Sequence, residues 1–384
     1  MQATNLRRVA AVAVGGALAL SLAACGSSSN NTPSSVASTG GTNWASVQSA
    51  AAGGGMGALV AAAKKEGALN VITLPRDWAN YGAIMDAFSK KYGIKITDAN
   101  PQGSSGDEIN AIKSQKGQST APDVVDIGNS YALSGAMEGL YAPYKVATWN
   151  DIPAAQKDSG GLWFGSYGGY VSIGCDSAKV KVCPTTFKQL DNPAYKGMVA
   201  LNGDPTSANA AFQAVWATAL ANGGSATNIQ PGIDFFKKLN TDGVLNKTKG
   251  TAATIASGAT PIVLDWDYLN ASHGVGIKGW KVSVPTDGLL SSYYDQAISA
   301  TAPHPAAARL WEEFLYSQAP IGGQNLWIAG LARPIELAAM MAKGTAVGVN
   351  KLPKVTDPKP FNPTPDQVTA QKAVVTAKWA TEVH

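Results

Sequence analysis

Asp265-Trp266-Asp267-Tyr268 brings two carboxylates and two aromatic rings together at the end of an apolar run, Pro261 to Leu264. Such a run reads as a short buried strand, and open α/β sheets bind ligands beyond the carboxyl ends of their strands. An ionised acid beside an indole face suits an organic cation, because carboxylate and ring quadrupole both attract positive charge. The plain alternative is a solvated strand end whose Trp covers the core.

Other chemistry has fewer residues to work with. There is no Gly-x-Ser-x-Gly elbow, no His-Glu-x-x-His and no phosphate loop with Lys, and the three histidines, His273, His304 and His384, are scattered. The chain therefore reads as a binder and not an enzyme, with no metal site and no cofactor. The enzymatic alternative is a hydrolase built on carboxylates alone, in which Asp265 and Asp267 share a proton. The formal charge is +4, and without Arg7 and Arg8 it falls to +2, 28 basic against 26 acidic residues. No basic stripe or charge block stands out, so nucleic acid is not an expected partner.

Arg7 and Arg8 open the chain, an apolar run from Val9 to Leu20 follows, and Leu22-Ala23-Ala24-Cys25 closes it. A basic start, a short apolar stretch and small residues before a cleavage point form a secretory signal. The Cys makes the segment resemble a bacterial lipoprotein signal, cut after residue 24, with Cys25 as the lipidated residue. The mature chain would then be anchored to the outer face of the cytoplasmic membrane. Residues 25–55, rich in Ser, Asn, Thr, Ala and Gly, read as a disordered tether. Cys175 and Cys183 remain, and in an exported chain a disulfide closing a small loop is expected. Two free buried thiols are the alternative; a metal pair is weaker, with no His near.

The elements that must position these groups alternate in type. Ala58 to Lys65 reads as a helix ended by Gly67, Leu69 to Leu74 as a strand, and Ile84 to Tyr92 as an amphipathic helix. Ile94 to Thr97 is the next strand, Ser104 to Gln115 a helix capped by Ser104 or Ser105, and Asp123 to Ile127 a third strand. This alternation predicts a parallel sheet with right-handed crossovers. Leu162 to Ile173 reads as a long strand that passes from one lobe to another. Met198 to Leu201 is a strand, and Asp204-Pro205-Thr206 opens a helix ending near Asn222. Trp280 to Pro285 and Gln296 to Ala300 are return strands. Pro305 to Ser317, Gln324 to Ala329 and a segment from Pro365 are helical. About 330 residues follow the tether, enough for two cores.

Several stretches, in order, resemble the extracellular solute-binding proteins of bacterial ABC importers. They are Lys65-Glu66-Gly67, Ala121-Pro122-Asp123-Val124-Val125-Asp126, Leu140 to Tyr144, Cys183-Pro184-Thr185, Asn192 to Gly197, and Pro303-His304-Pro305 through Ser317. The branch resembled holds ferric, thiamine and polyamine binders. It implies an α/β, two-lobed, type II periplasmic-binding-protein fold with two hinge-crossing strands and a ligand clamped between the lobes. Residues 56–165 plus 286–325 would form lobe 1, residues 166–285 lobe 2, and residues 326–384 C-terminal helices and loops packed on both. A small-molecule ligand, an ABC permease with its ATPase, and action as a monomer are implied as well.

Ferric members of that branch carry adjacent tyrosines where this chain has Asp265-Trp266-Asp267-Tyr268, and only one tyrosine remains here. Polyamine and thiamine relatives use acidic and aromatic groups, so a small organic cation is the expected ligand. The expected contacts are Trp78, Tyr81, Ser104, Ser105 and Asn129 from the first lobe, and Asp204, Thr206, Asp265, Trp266 and Asp267 from the second, with Tyr293 as a pocket wall. Plainer roles compete: Trp78 and Tyr81 as helix caps, Ser104 as an N-cap only, Thr206 as a helix start, and Asp204 as a turn residue. An anionic or zwitterionic ligand, such as a phosphonate held by backbone N–H groups at Ser104 and Thr206, is the alternative within the binding class, as is ferric ion.

Overall fold

The computed structural model describes residues 41–353, 355 and 359–383. The expected signal and Cys25 lie outside the described residues. Helix α1 (Met56–Glu66) ends at Gly67, whose φ of 72° suits a residue without Cβ. Strand β1 (Ala68–Ile72) then leads to α2 (Tyr81–Tyr92), β2 (Lys95–Ala99) and α3 (Ser105–Ser114). Ser104 caps α3, with Asp107 reaching back to its backbone, the reciprocal arrangement that fixes a helix start. Next come β3 (Val124–Gly128), α4 (Asn129–Met137), β4 (Tyr141–Ala142) and the 13-residue β5 (Phe164–Asp176).

The middle of the chain forms β6 (Val199–Leu201), α5 (Asn209–Ala221), α6 (Gln230–Thr241), β7 (Leu245–Asn246), α7 (Ala252–Ser257), β8 (Ile262–Trp266) and α8 (Asp267–His273). Strands β9 (Trp280–Ser283) and β10 (Ser291–Ser299) follow, then α9 (Pro305–Leu315), α10 (Gly323–Ala329), β11 (Arg333–Pro334), α11 (Leu337–Lys343) and α12 (Pro365–Glu382).

β1 and β2 pair in parallel, and so do β6, β7 and β8, as the alternation predicts. β10 runs antiparallel to both β3 and β5, which makes the large sheet mixed. β5 joins the two halves of that sheet. Its first part pairs with β10 and β11, and its second part pairs with β8 and β9. All of β5 except Tyr170 is buried, and its Tyr167 ring packs against Tyr81, Tyr294 and Trp327.

Two local expectations need correction. Disorder through residue 55 does not hold, since Trp44 is buried against Gly53, and Arg309 donates to the carbonyls of Ala45 and Val47 at 3.0 and 2.7 Å. The apolar indole and those carbonyls supply what composition alone undercounts. The helix expected from Asp204 begins instead at Asn209, because the Asp204 carboxylate accepts from the backbone N–H and hydroxyl of Thr206. That local bonding makes a turn before the helix. Cys175, at the end of β5, is disulfide-bonded to Cys183.

Burial leaves several acids holding protons near neutrality. Desolvation pushes Asp126, Asp265 and Glu336 up to about 7 and Asp295 up to about 8. Unfolded carboxyls ionise near pH 4, so above that the folded chain binds more protons than the unfolded one. Stability therefore falls as pH rises from about 4 to about 8, by up to about 1.4 kcal/mol per pH unit for each acid still protonated. His304, raised by its bond to Asp123, acts in the same direction, while His273, lowered by burial, opposes it. The midpoint of thermal unfolding is expected to be higher at about pH 5.5 than at about pH 7.5. A higher midpoint at the more alkaline pH would contradict this account.

Candidate ligand-binding cleft

A cavity of about 270 Å³ opens where the turns after β1 and β2 meet the turn after β6 and the start of α7. Trp78, Ser104 and Ser105 line it, as expected from the sequence. Trp78 keeps its place through a relay: its indole N–H donates to the Tyr167 hydroxyl at 2.7 Å, which donates to Asp126 at 2.5 Å. Gln296 donates to the other Asp126 oxygen at 2.7 Å. Both oxygens of that carboxylate are thereby committed to holding the wall.

Contacts across the cleft close this cavity. The Lys249 ammonium donates to the carbonyl of Gln102 at 3.0 Å. His273 Nε2 lies 3.7 Å from Asp77, and the backbone N–H of Gly106 meets the carbonyl of Ser207 at 3.4 Å. Behind them Tyr131 donates to the carbonyl of Thr206 at 3.1 Å. The Lys372 ammonium, brought in by α12, donates to the carbonyl of Pro205 at 2.8 Å and sits 5.1 Å from the ring centroids of both Tyr131 and Phe212. Burial lowers the pKa of Lys372 to about 8.

The Asp-Trp-Asp-Tyr stretch forms the expected strand end, but none of its side chains lines the cavity. Asp267 is fully buried and accepts from Arg333 at 2.8 Å and from the backbone N–H of Tyr170 at 3.0 Å. Burial raises its pKa, against the pull of the Arg333 charge and those hydrogen bonds. Trp266 is 1% exposed, stacked on Tyr268, with its indole N–H 3.3 Å from the Tyr294 hydroxyl. Asp265 is bonded to Asn202 and to the backbone N–H of Trp266. The plain alternative, a Trp covering the core, describes Trp266 correctly.

Five more expected contacts lie elsewhere. Tyr81 is fully buried, stacked on Trp311, because the backbone turns at Asn80, with φ of 65°, and rotates α2 into the core. Asn129 donates to Asp295 at 2.8 Å, and together with Tyr293 it lines a separate small crevice. Asp204 and Thr206 bond to each other in the turn before α5.

Among the lining residues that sequence reading missed, Lys249 and Asn202 sit on short loops. Lys249 is the only Lys or Arg in the lining, and desolvation lowers its pKa. Asn202 follows β6 directly, so the strand-end rule that selected Asp204 pointed two residues too far along the chain. Asn209 and Ala210, in the first turn of α5, line the cavity, and no side chain caps that helix. Its first backbone N–H groups are donors without intrahelical acceptors. Among the described residues, no group of three or more His, Cys, Asp and Glu is placed to hold a metal ion.

Residues 119–348 match the family described as bacterial extracellular solute-binding protein. No curated protein sequence matches the chain. Among solved structures, the periplasmic binding protein AfuA from Actinobacillus pleuropneumoniae, with fructose-6-phosphate bound, is similar at a TM-score of 0.63 and 20% identity, covering 82% of this chain and 98% of that one. A periplasmic thiamin binding protein is similar at 0.62 and 20% identity, over 83% and 96%. Iron-bound HitA from Pseudomonas aeruginosa is similar at 0.56 and 18% identity, over 80% and 97%. These likenesses establish the type II two-lobed fold.

Proposed function

The chain belongs to the bacterial extracellular solute-binding proteins, and from that premise we propose that its cleft captures a small molecule carrying a phosphate or phosphonate group. Proteins of this family bind solutes outside the cytoplasm and deliver them to ABC permeases; they are not enzymes. The two halves of the sheet on either side of β5 are read as the two lobes. Anchoring through Cys25 and action as a monomer complete the proposal.

The observation that carries the ligand class is the pairing of Lys249 with the uncapped start of α5 in one cavity wall. Helix N-termini present free N–H groups and positive potential to anions, and an ammonium in a partly desolvated wall adds charge-assisted bonds. The fold accommodates a phosphorylated ligand, since AfuA holds fructose-6-phosphate. The organic-cation reading loses Asp265 and Asp267, whose carboxylates are already bonded to protein groups. It retains Asp77 and Glu108 near Trp78, and stands as the second reading.

Isothermal calorimetry on the purified full chain separates the two. Fructose 6-phosphate, 2-aminoethylphosphonate and inorganic phosphate form one arm; putrescine, spermidine and thiamine form the other. At least one phosphorus compound is expected to bind at micromolar level or tighter, about 8 kcal/mol. A protein that ignores all three and binds a cation belongs to the second reading.

A further inference from the structure

Two buried carboxyls line the cavity, and only one is fully committed. Asp126 bonds Tyr167 through one oxygen and Gln296 through the other. Glu108, on the first turn of α3, is 1% exposed and receives a single hydrogen bond, from the backbone N–H of Asp126 to Oε2 at 3.0 Å. None of the ion pairs among the described residues includes it. A buried carboxyl without a cation is costly unless it keeps a proton or finds a partner.

We propose that Glu108 is a specificity-determining residue, which recognises a hydrogen-bond-donating group, hydroxyl or ammonium, on the same ligand whose anionic group meets Lys249 and the start of α5. This rests on the anionic reading above and narrows it. The ligand is a phosphate ester or phosphonate that carries a donor group, and not bare inorganic phosphate, which leaves Glu108 unpartnered. Burial, helped by Asp126, Asp98 and Asp107 nearby, pushes the pKa of Glu108 well above the usual carboxylate range. Lys249 is the cation in the lining of the same cavity. Glu108 is thus biased toward its protonated form before a ligand arrives. A ligand hydroxyl leaves that proton in place; a ligand ammonium displaces it to solvent, because an ion pair in the cavity needs the carboxylate.

Calorimetry of the full chain and of two variants tests this with fructose 6-phosphate, 2-aminoethylphosphonate and inorganic phosphate. Glu108→Leu removes donor and acceptor and is expected to weaken the better-bound organic ligand by about tenfold or more, with inorganic phosphate within about twofold of the parent. Glu108→Gln copies the protonated acid, so it retains a hydroxyl ligand and loses an ammonium ligand. Titration in two buffers of different ionisation enthalpy reads the proton: release of about one proton identifies the ammonium source, and none identifies the hydroxyl source. Equal losses for all three compounds in Glu108→Leu, or no loss for any, overturns the role of Glu108. A parent that binds inorganic phosphate as tightly as either organic compound overturns it too, and leaves the anionic reading standing. A parent that binds no phosphorus compound overturns both.

Discussion

Arg333→Leu is expected to destabilise the protein by about 3–5 kcal/mol, because it strands a carboxylate in the interior. Asp267 is fully buried, and Arg333 bonds it at 2.8 Å while being only 13% exposed itself. The guanidinium also donates to the carbonyl of Pro353 at 2.7 Å and covers the ring of Tyr170 at 4.2 Å. Without it, the backbone N–H of Tyr170 is the main remaining partner, and Asp267 must take up a proton to stay folded. The deficit should therefore shrink as pH falls toward the usual carboxylate range. Combining Arg333→Leu with Asp267→Asn should recover most of the loss, since the amide carries no charge. Urea denaturation of the two single variants, the double variant and the parent measures this. A loss below about 1 kcal/mol in Arg333→Leu, the range of an exposed pair, or a double variant no more stable than it, would refute the account.

Lys249→Met is expected to weaken the phosphorylated ligand by about 1.5–3 kcal/mol, roughly 10- to 150-fold. Methionine keeps the length of the stem, so the change removes the ammonium and leaves the apolar packing in place. Two roles are lost together: the attraction to the anion, and the bond from the ammonium to the carbonyl of Gln102 that holds the cleft shut. Lys249→Gln restores a donor for Gln102 without the charge, so it separates these contributions. Affinity in the parent should fall with added salt more steeply than in Lys249→Met. Calorimetry across a salt series decides the matter. Unchanged affinity in Lys249→Met would remove the main support for an anionic ligand, and tighter binding of a cation by this variant would promote the second reading.

The sequence by itself determined the class of the fold, because the signals involved act over a few residues. Gly67 and Gly93 end helices in left-handed backbone, Ser104 starts one, and an apolar run such as Ile262–Leu264 has one stable fate, a buried strand. Trp78, Ser104 and Ser105 were legible for the same reason, since they occupy turns at the carboxyl ends of predicted strands. What only the tertiary structure decided is which charges meet. Asp267 looked available to a ligand until β11 paired with Gly168 and brought Arg333, 66 residues further along the chain, onto it. Lys249 sits on a loop without periodicity or a recognisable motif, and it reaches the cleft because β6 pairs with β8 and places α7 beside Asn202. Local patterns fix how each segment folds; the partner of a buried charge depends on long-range pairing, which the spacing of residues along the chain does not encode.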